Sequence, residues 1–137
     1  MISTPSPERR VAICICTHTR TEVLKLLLQS LRDIDLGTWR ESEVELIVID
    51  NSPNPITHDI CVQTGATLPF NVHYATEPEP GITYARNRAV AVALERGAYF
   101  IAFIDDDDVP DSDWLRQLLE CQQATKADIV FGSWVLD

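Results

Sequence analysis

Apolar and polar positions alternate along this chain in two rhythms. Short apolar-rich runs at residues 10–16, 43–49, 71–75, 99–104 and 128–135 have the length of strands, and the densest of them predict strands buried on both faces. Between them, apolar positions recur at helical spacing. Val23, Leu24, Leu27, Leu28 and Leu31 predict a helix entered at Thr21. Ile82, Ala85, Ala89, Val92 and Ala93 predict a second over 82–96, stopped by Gly97. Leu115, Leu118 and Leu119 predict a third, capped by Asp111 or Ser112. A weaker helix is expected over 57–64, ended by Gly65.

Strands that alternate with helices predict an α/β fold: a mostly parallel sheet with helices on both faces, similar to a Rossmann fold. Right-handed crossovers then bring every strand's carboxyl end to one edge. Four polar breaks fall on that edge, at residues 17–20, 50–52, 77–81 and 105–108. The first 9 residues read as a disordered lead-in, leaving 10–137 as a single domain.

Composition narrows the classes. A hydrophobic share of 45% supports a core and argues against disorder. The formal charge of -10 argues against nucleic acid or an anionic membrane as the main partner. No apolar run approaches the roughly 20 residues of a membrane span, and the amino terminus has no signal-peptide core. Cys14 and Cys16, about 7 Å apart on one face of a strand, are too distant for an easy disulfide. Cys61 and Cys121 stand alone, so all four cysteines are expected to be buried thiols of a cytoplasmic protein.

The candidate chemistry sits at the sheet edge. Asp105, Asp106, Asp107 and Asp108 follow a buried strand, and adjacent carboxylates repel unless compensated; a divalent cation with oxygen ligands is the natural partner. The turn at Thr17, His18, Thr19 and Arg20 has no glycine, which removes the usual dinucleotide and P-loop readings. A cation-bridged nucleoside diphosphate remains. Arg86, near the start of the helix behind Gly81, can reach toward the same anion. Asp50 can accept from a uracil imide or a ribose hydroxyl, or else cap its own turn. A solvated, helix-capping or Ca²⁺-binding role for the acid run, without nucleotide, stays open at this point, as does a non-catalytic nucleotide-binding module.

Four motifs in order resemble the amino-terminal part of a family 2 glycosyltransferase of the GT-A, nucleotide-diphospho-sugar transferase fold. They are Ile13-Cys14-Ile15-Cys16-Thr17-His18-Thr19-Arg20, Glu45-Leu46-Ile47-Val48-Ile49-Asp50-Asn51-Ser52, Pro80-Gly81-Ile82-Thr83-Tyr84-Ala85-Arg86-Asn87, and Ile104-Asp105-Asp106-Asp107-Asp108-Val109-Pro110 with Asp113-Trp114-Leu115. The resemblance implies an inverting, metal-dependent transfer of sugar from a nucleotide-diphospho-sugar, a UDP-sugar, to an acceptor hydroxyl. It implies that Thr17, His18 and Arg20 line the base and ribose pocket and that Asp50 meets the base. Arg86 would lie near the diphosphate, with Gly81 and Asn87 in the supporting loop. In the Asp-x-Asp motif, Asp107, with Asp105, would hold Mn²⁺ or Mg²⁺, and Asp105 or Asp106 the ribose. The resemblance places the general base and much of the acceptor site beyond Asp137. The chain is therefore expected to be part of a longer enzyme of polysaccharide biosynthesis, slow or inactive alone and prone to self-association, reaching the cytoplasmic face of the membrane through other regions.

Overall fold

A computed structural model describes residues 9–133. The strands are β1 (Val11–Thr17), β2 (Val44–Asp50), β3 (Asn71–Thr76) and β4 (Phe100–Phe103). They form a parallel sheet in the order β3-β2-β1-β4. The helices are α1 (Thr21–Ser30), α2 (His58–Gly65), α3 (Ile82–Glu95) and α4 (Trp114–Thr125). The chain steps outward from β1 to β3, then returns to the far side of β1, so the strand order reverses between β1 and β4. Open α/β sheets bind ligands at the carboxyl edge of such a reversal.

The two faces of the sheet are packed differently. Val11, Ile13 and Ile15 of β1 and Leu46 and Val48 of β2 meet Leu24, Leu27 and Leu28 of α1 and Leu115 and Leu119 of α4. On the other face Ala12, Cys14, Ile47 and Ile49 meet Ala85, Ala89, Val92 and Ala93 of α3. The alternation of side chains along each strand sends successive residues to opposite faces. Small residues on α3 let it lie close to the sheet.

Two glycines carry backbone duties. Gly97 adopts φ 84, and the amides of Gly97 and Ala98 bond Leu94 O and Ala93 O, a Schellman ending for α3. Gly65 lies in the last turn of α2, where a Cβ would sit 3.1 Å from the Val72 side chain, so a larger residue there would force Val72 of β3 to shift by a few tenths of an ångström.

Several expectations change. Residues 128–133 form no strand; Ile129 and Phe131 are exposed, and β-prone side chains make a strand only where a neighbouring strand offers ladder partners. Residues 134 and 135 of that predicted strand lie outside the described residues. So does most of the predicted lead-in, residues 1–8, whereas Arg9 donates to Glu43 and to Thr38 O and stacks 4.2 Å from the Trp39 ring. Helix α4 starts at Trp114 with Asp113, rather than Asp111 or Ser112, at its cap position. Ile82 is exposed instead of packed. The four cysteines are free, but Cys121 is exposed on α4.

Candidate functional site

The middle strand β2 ends with Asp50, paired in register with Thr17 of β1 and Thr76 of β3. The loop behind it therefore touches the loops of both neighbours. Asn51 N–H donates to Thr17 O at 2.9 Å, and its side chain reaches the other way. Its Nδ2 donates to Glu77 O at 2.7 Å and to Glu79 O at 2.8 Å, while Oδ1 accepts from Gly81 N–H at 3.1 Å. Ser52 Oγ accepts from the amide of Thr19, which stands at φ 52.

Asp50 itself is closed off. Its side chain has 0% exposure; Oδ1 accepts from Ser52 N–H, and Oδ2 accepts from Thr57 Oγ1 at 2.7 Å, Tyr74 OH at 2.8 Å and the Thr57 amide. Burial pushes this carboxyl up, but the hydrogen bonds from Ser52, Thr57 and Tyr74 outweigh it and hold the group below its ordinary value. In this arrangement Asp50 has no free lobe for a base. It anchors the β2 loop and β3, which is the turn-capping role the sequence had left open.

The acid run folds as a tight turn closed by Asp108 N–H to Asp105 O at 3.1 Å. That turn sorts four consecutive aspartates into two kinds. Asp106 points inward and is buried; Thr17 Oγ1 donates to it at 3.0 Å and Arg20 Nη1 lies 3.5 Å away. Burial is the main force raising its carboxyl above the ordinary range; Thr17 and Arg20 oppose this, and Asp107 and Asp105 add to it. Asp105, Asp107 and Asp108 face the other way, each with a carboxylate oxygen within 4.8 Å of the others. Asp108 is raised, by burial first and then by Asp105.

Two arginines flank this trio. Arg20 Nη1 is 3.2 Å from Asp107, and Arg86 Nη2, from α3, is 3.8 Å from Asp105. All four of these side chains are about half exposed. Three oxygen donors this close fit a hard divalent cation, whose remaining positions water or phosphate oxygens would fill. The donor set so defined includes Asp108, which belongs to the acid run offered to the cation but not to the pair that the Asp-x-Asp resemblance implies.

Of the other expected residues, Thr17 is buried beneath the acid turn, and His18 is exposed with Nδ1 3.3 Å from Thr19 Oγ1. Gly81 stands at φ 128 immediately before α3, a conformation that only glycine adopts readily. Asn87 is exposed on α3, with no hydrogen bond to the 77–81 loop among the described residues. Thr17, Arg20, Gly81, Arg86 and the four aspartates thus meet at one edge, with Asp50 below it. Asn51 and Ser52 were expected at this edge without a role, and Thr57 and Tyr74 were not foreseen as part of it. One signal for Asn51 was present: Pro78 and Pro80 leave their loop short of amides, so an outside residue must satisfy and hold it.

Residues 12–137 match the family described as Glycosyl transferase family 2. The chain belongs to that family. It is 30% identical over 129 residues to the succinoglycan biosynthesis protein ExoM of Rhizobium meliloti (strain 1021), covering 93% of this chain and 40% of ExoM. The chain thus spans well under half the length of this curated relative. Among solved structures, S. aureus TarS residues 1–349 in complex with UDP is similar at TM-score 0.72, with 22% identity over 93% of this chain and 38% of that one. The mannosyltransferase PcManGT from Pyrobaculum calidifontis, in complex with GDP-Man and Mn²⁺, is similar at TM-score 0.67, with 18% identity over 87% of this chain and 34% of that one. At these identities the likeness establishes the GT-A glycosyltransferase fold.

Proposed function

We propose that this chain binds a nucleotide-diphospho-sugar, a UDP-sugar, through a divalent cation, Mn²⁺ or Mg²⁺, and presents the sugar for inverting transfer to an acceptor hydroxyl. The observation that carries this reading is the outward trio Asp105, Asp107 and Asp108, flanked by Arg20 and Arg86 at the strand-order reversal. Membership of glycosyl transferase family 2 supports the reaction class. The UDP, UDP-GlcNAc and GDP-Man held by the structural relatives support the donor class, and the Mn²⁺ of one of them supports the metal. ExoM's role in succinoglycan biosynthesis supports a polysaccharide or other glycan acceptor.

In this reading Asp105, Asp107 and Asp108 hold the cation, which when bound would neutralise charge growing on the departing diphosphate. Arg86 and the amino end of α3 would hold the diphosphate. Arg20 and His18 border the nucleoside. Asp106 orients Arg20 and stays tied to Thr17. We assign no general base to the described residues. No described helix is long and apolar enough to cross a membrane, and a cytoplasmic location belongs to the same proposal.

Calorimetric titration of UDP into the purified protein, with Mn²⁺ and then with EDTA, tests the reading. Binding should require the metal and should weaken strongly in Asp107→Ala. Equal binding in EDTA would defeat the metal-bridged site. Tight Ca²⁺ binding with no nucleotide dependence would reassign the acids to structure.

A further inference from the structure

We infer that Asn51 is the positioning residue that sets the diphosphate half of the site, by stapling the 77–81 loop and the start of α3 to the ends of β1 and β2. This rests on the donor reading above and extends it to a residue that touches none of the metal ligands and meets the expected nucleoside pocket only through the Thr17 carbonyl.

The argument begins with what the 77–81 loop lacks. Two of its five residues are proline, and of its three amides the one at Glu77 is spent on Asp50 O, so the rest of the loop has few amides with which to hold itself. It presents two carbonyls and one amide to a single side chain, and the Asn51 carboxamide matches them with two donated bonds and one accepted. Asn51 is 7% exposed, so these bonds form away from competing water. An aspartate would have no donors for the two carbonyls. Glutamine, one methylene longer, would push the loop away.

The amide that Asn51 receives belongs to Gly81, whose carbonyl accepts from Ala85 N–H in the first turn of α3. Arg86 follows directly on that turn. The staple therefore fixes Arg86 relative to Asp105, and the Asn51 amide bonded to Thr17 O fixes both to the strand beneath Asp106. A displacement of the loop would carry the α3 start and Arg86 away from the acid turn while leaving the trio itself intact.

The test compares Asn51→Ala and Asn51→Asp with the unsubstituted protein. Amide hydrogen exchange should rise at least tenfold at Gly81 in Asn51→Ala. It should stay unchanged at Glu77, whose amide bonds Asp50 O instead. UDP with Mn²⁺ should bind at least tenfold more weakly, whereas uridine, followed by NMR titration, and Mn²⁺ alone should change less than twofold. Asn51→Asp, which keeps an acceptor for Gly81 and so serves if the alanine variant folds poorly, should show the same split between UDP and uridine. Equal weakening of UDP and uridine, or unaltered Gly81 exchange, would overturn the inference. If the unsubstituted protein binds no UDP with Mn²⁺, the donor reading fails and the inference with it. If it binds UDP and Asn51→Ala binds equally well, the inference alone fails.

Discussion

Asp50 and Asp106 lie under the carboxyl edge of the sheet; Asp105, Asp107 and Asp108 lie on top of it. The two groups share a residue type and, for four of the five, a single run of sequence. Their surroundings differ, although Arg20 touches one member of each. The lower pair is buried and takes hydrogen bonds from Thr17, Ser52, Thr57 and Tyr74. The upper trio is more open, and two half-exposed arginine heads are the partners of Asp105 and Asp107. Buried carboxylates of the first kind organise loops, because leaving their partners unpaired is costly. Exposed carboxylates of the second kind repel one another and gain from a cation. The site is thus built in two storeys, and substitutions should separate them.

The largest effect is expected at the lower storey. Asp50→Ala strands the Thr57 and Tyr74 hydroxyls in a dry interior, and unfolding free energy from urea titration should fall by about 3 kcal/mol. A fall under 1 kcal/mol would mean that water already reaches Asp50. The upper storey should respond in the opposite way. Asp107→Ala should weaken Mn²⁺-dependent UDP binding about 100-fold, roughly 2.7 kcal/mol, and should leave the urea midpoint unchanged. Asp108→Ala should cost less, about tenfold, because Asp108 is the more enclosed member of the trio. Equal losses at 107 and 108 would move the metal toward Asp108.

That contrast also marks what could be read from the sequence. The alternation of apolar runs and helical stripes encodes β1 to β4 and α1 to α4 to within a residue or two, but not their burial: the run at 99–104, expected to be buried on both faces, forms an edge strand that is half-buried, with Phe103 exposed. Convergence of the four loops followed from topology alone. The division within 105–108 did not. Which aspartate turns inward depends on the turn closed between Asp108 and Asp105 and on Thr17 waiting beneath, 89 positions earlier in the chain. Asp50 shows the same limit: an acid at a strand end reads equally as a ligand or as an anchor until Tyr74 is seen to donate to it. The strand expected near the end of the chain failed for a related reason. Ile129, Val130 and Phe131 carry the right side chains, but no described strand lies beside them to complete a ladder.

A smaller effect should appear where the storeys meet. Arg20 contacts Asp106 below and Asp107 above. Without ligand it offsets the charge of the trio, so Arg20→Gln should bind Mn²⁺ alone about threefold more tightly, within the range of an exposed ion pair. The same variant should bind UDP more weakly in the presence of Mn²⁺, because the nucleoside pocket has lost a donor. Movement of both affinities in the same direction would show that Arg20 serves only one storey.

The smallest effect is a matter of pH. In the folded chain the Asp50 carboxyl is held below its ordinary value of 3.8 by Ser52, Thr57 and Tyr74. A carboxyl depressed by folding adds stability at pH values above its unfolded value, and that stability is lost as pH falls through the folded value. The urea midpoint should therefore decline as pH drops below about 4. Asp50→Asn, already destabilised at neutral pH, should lose less over the same interval, since it has no proton to take up. Parallel curves for the two proteins would assign the acid sensitivity to other carboxylates, with Glu43 the first to test: its burial is outweighed by the Arg40 amide and by Arg9, and it too is held low. Glu43 sits at the opposite end of β2 from the site, so a variant there should shift the acid limb without changing UDP binding, which separates the stability of the sheet from the chemistry at its carboxyl edge.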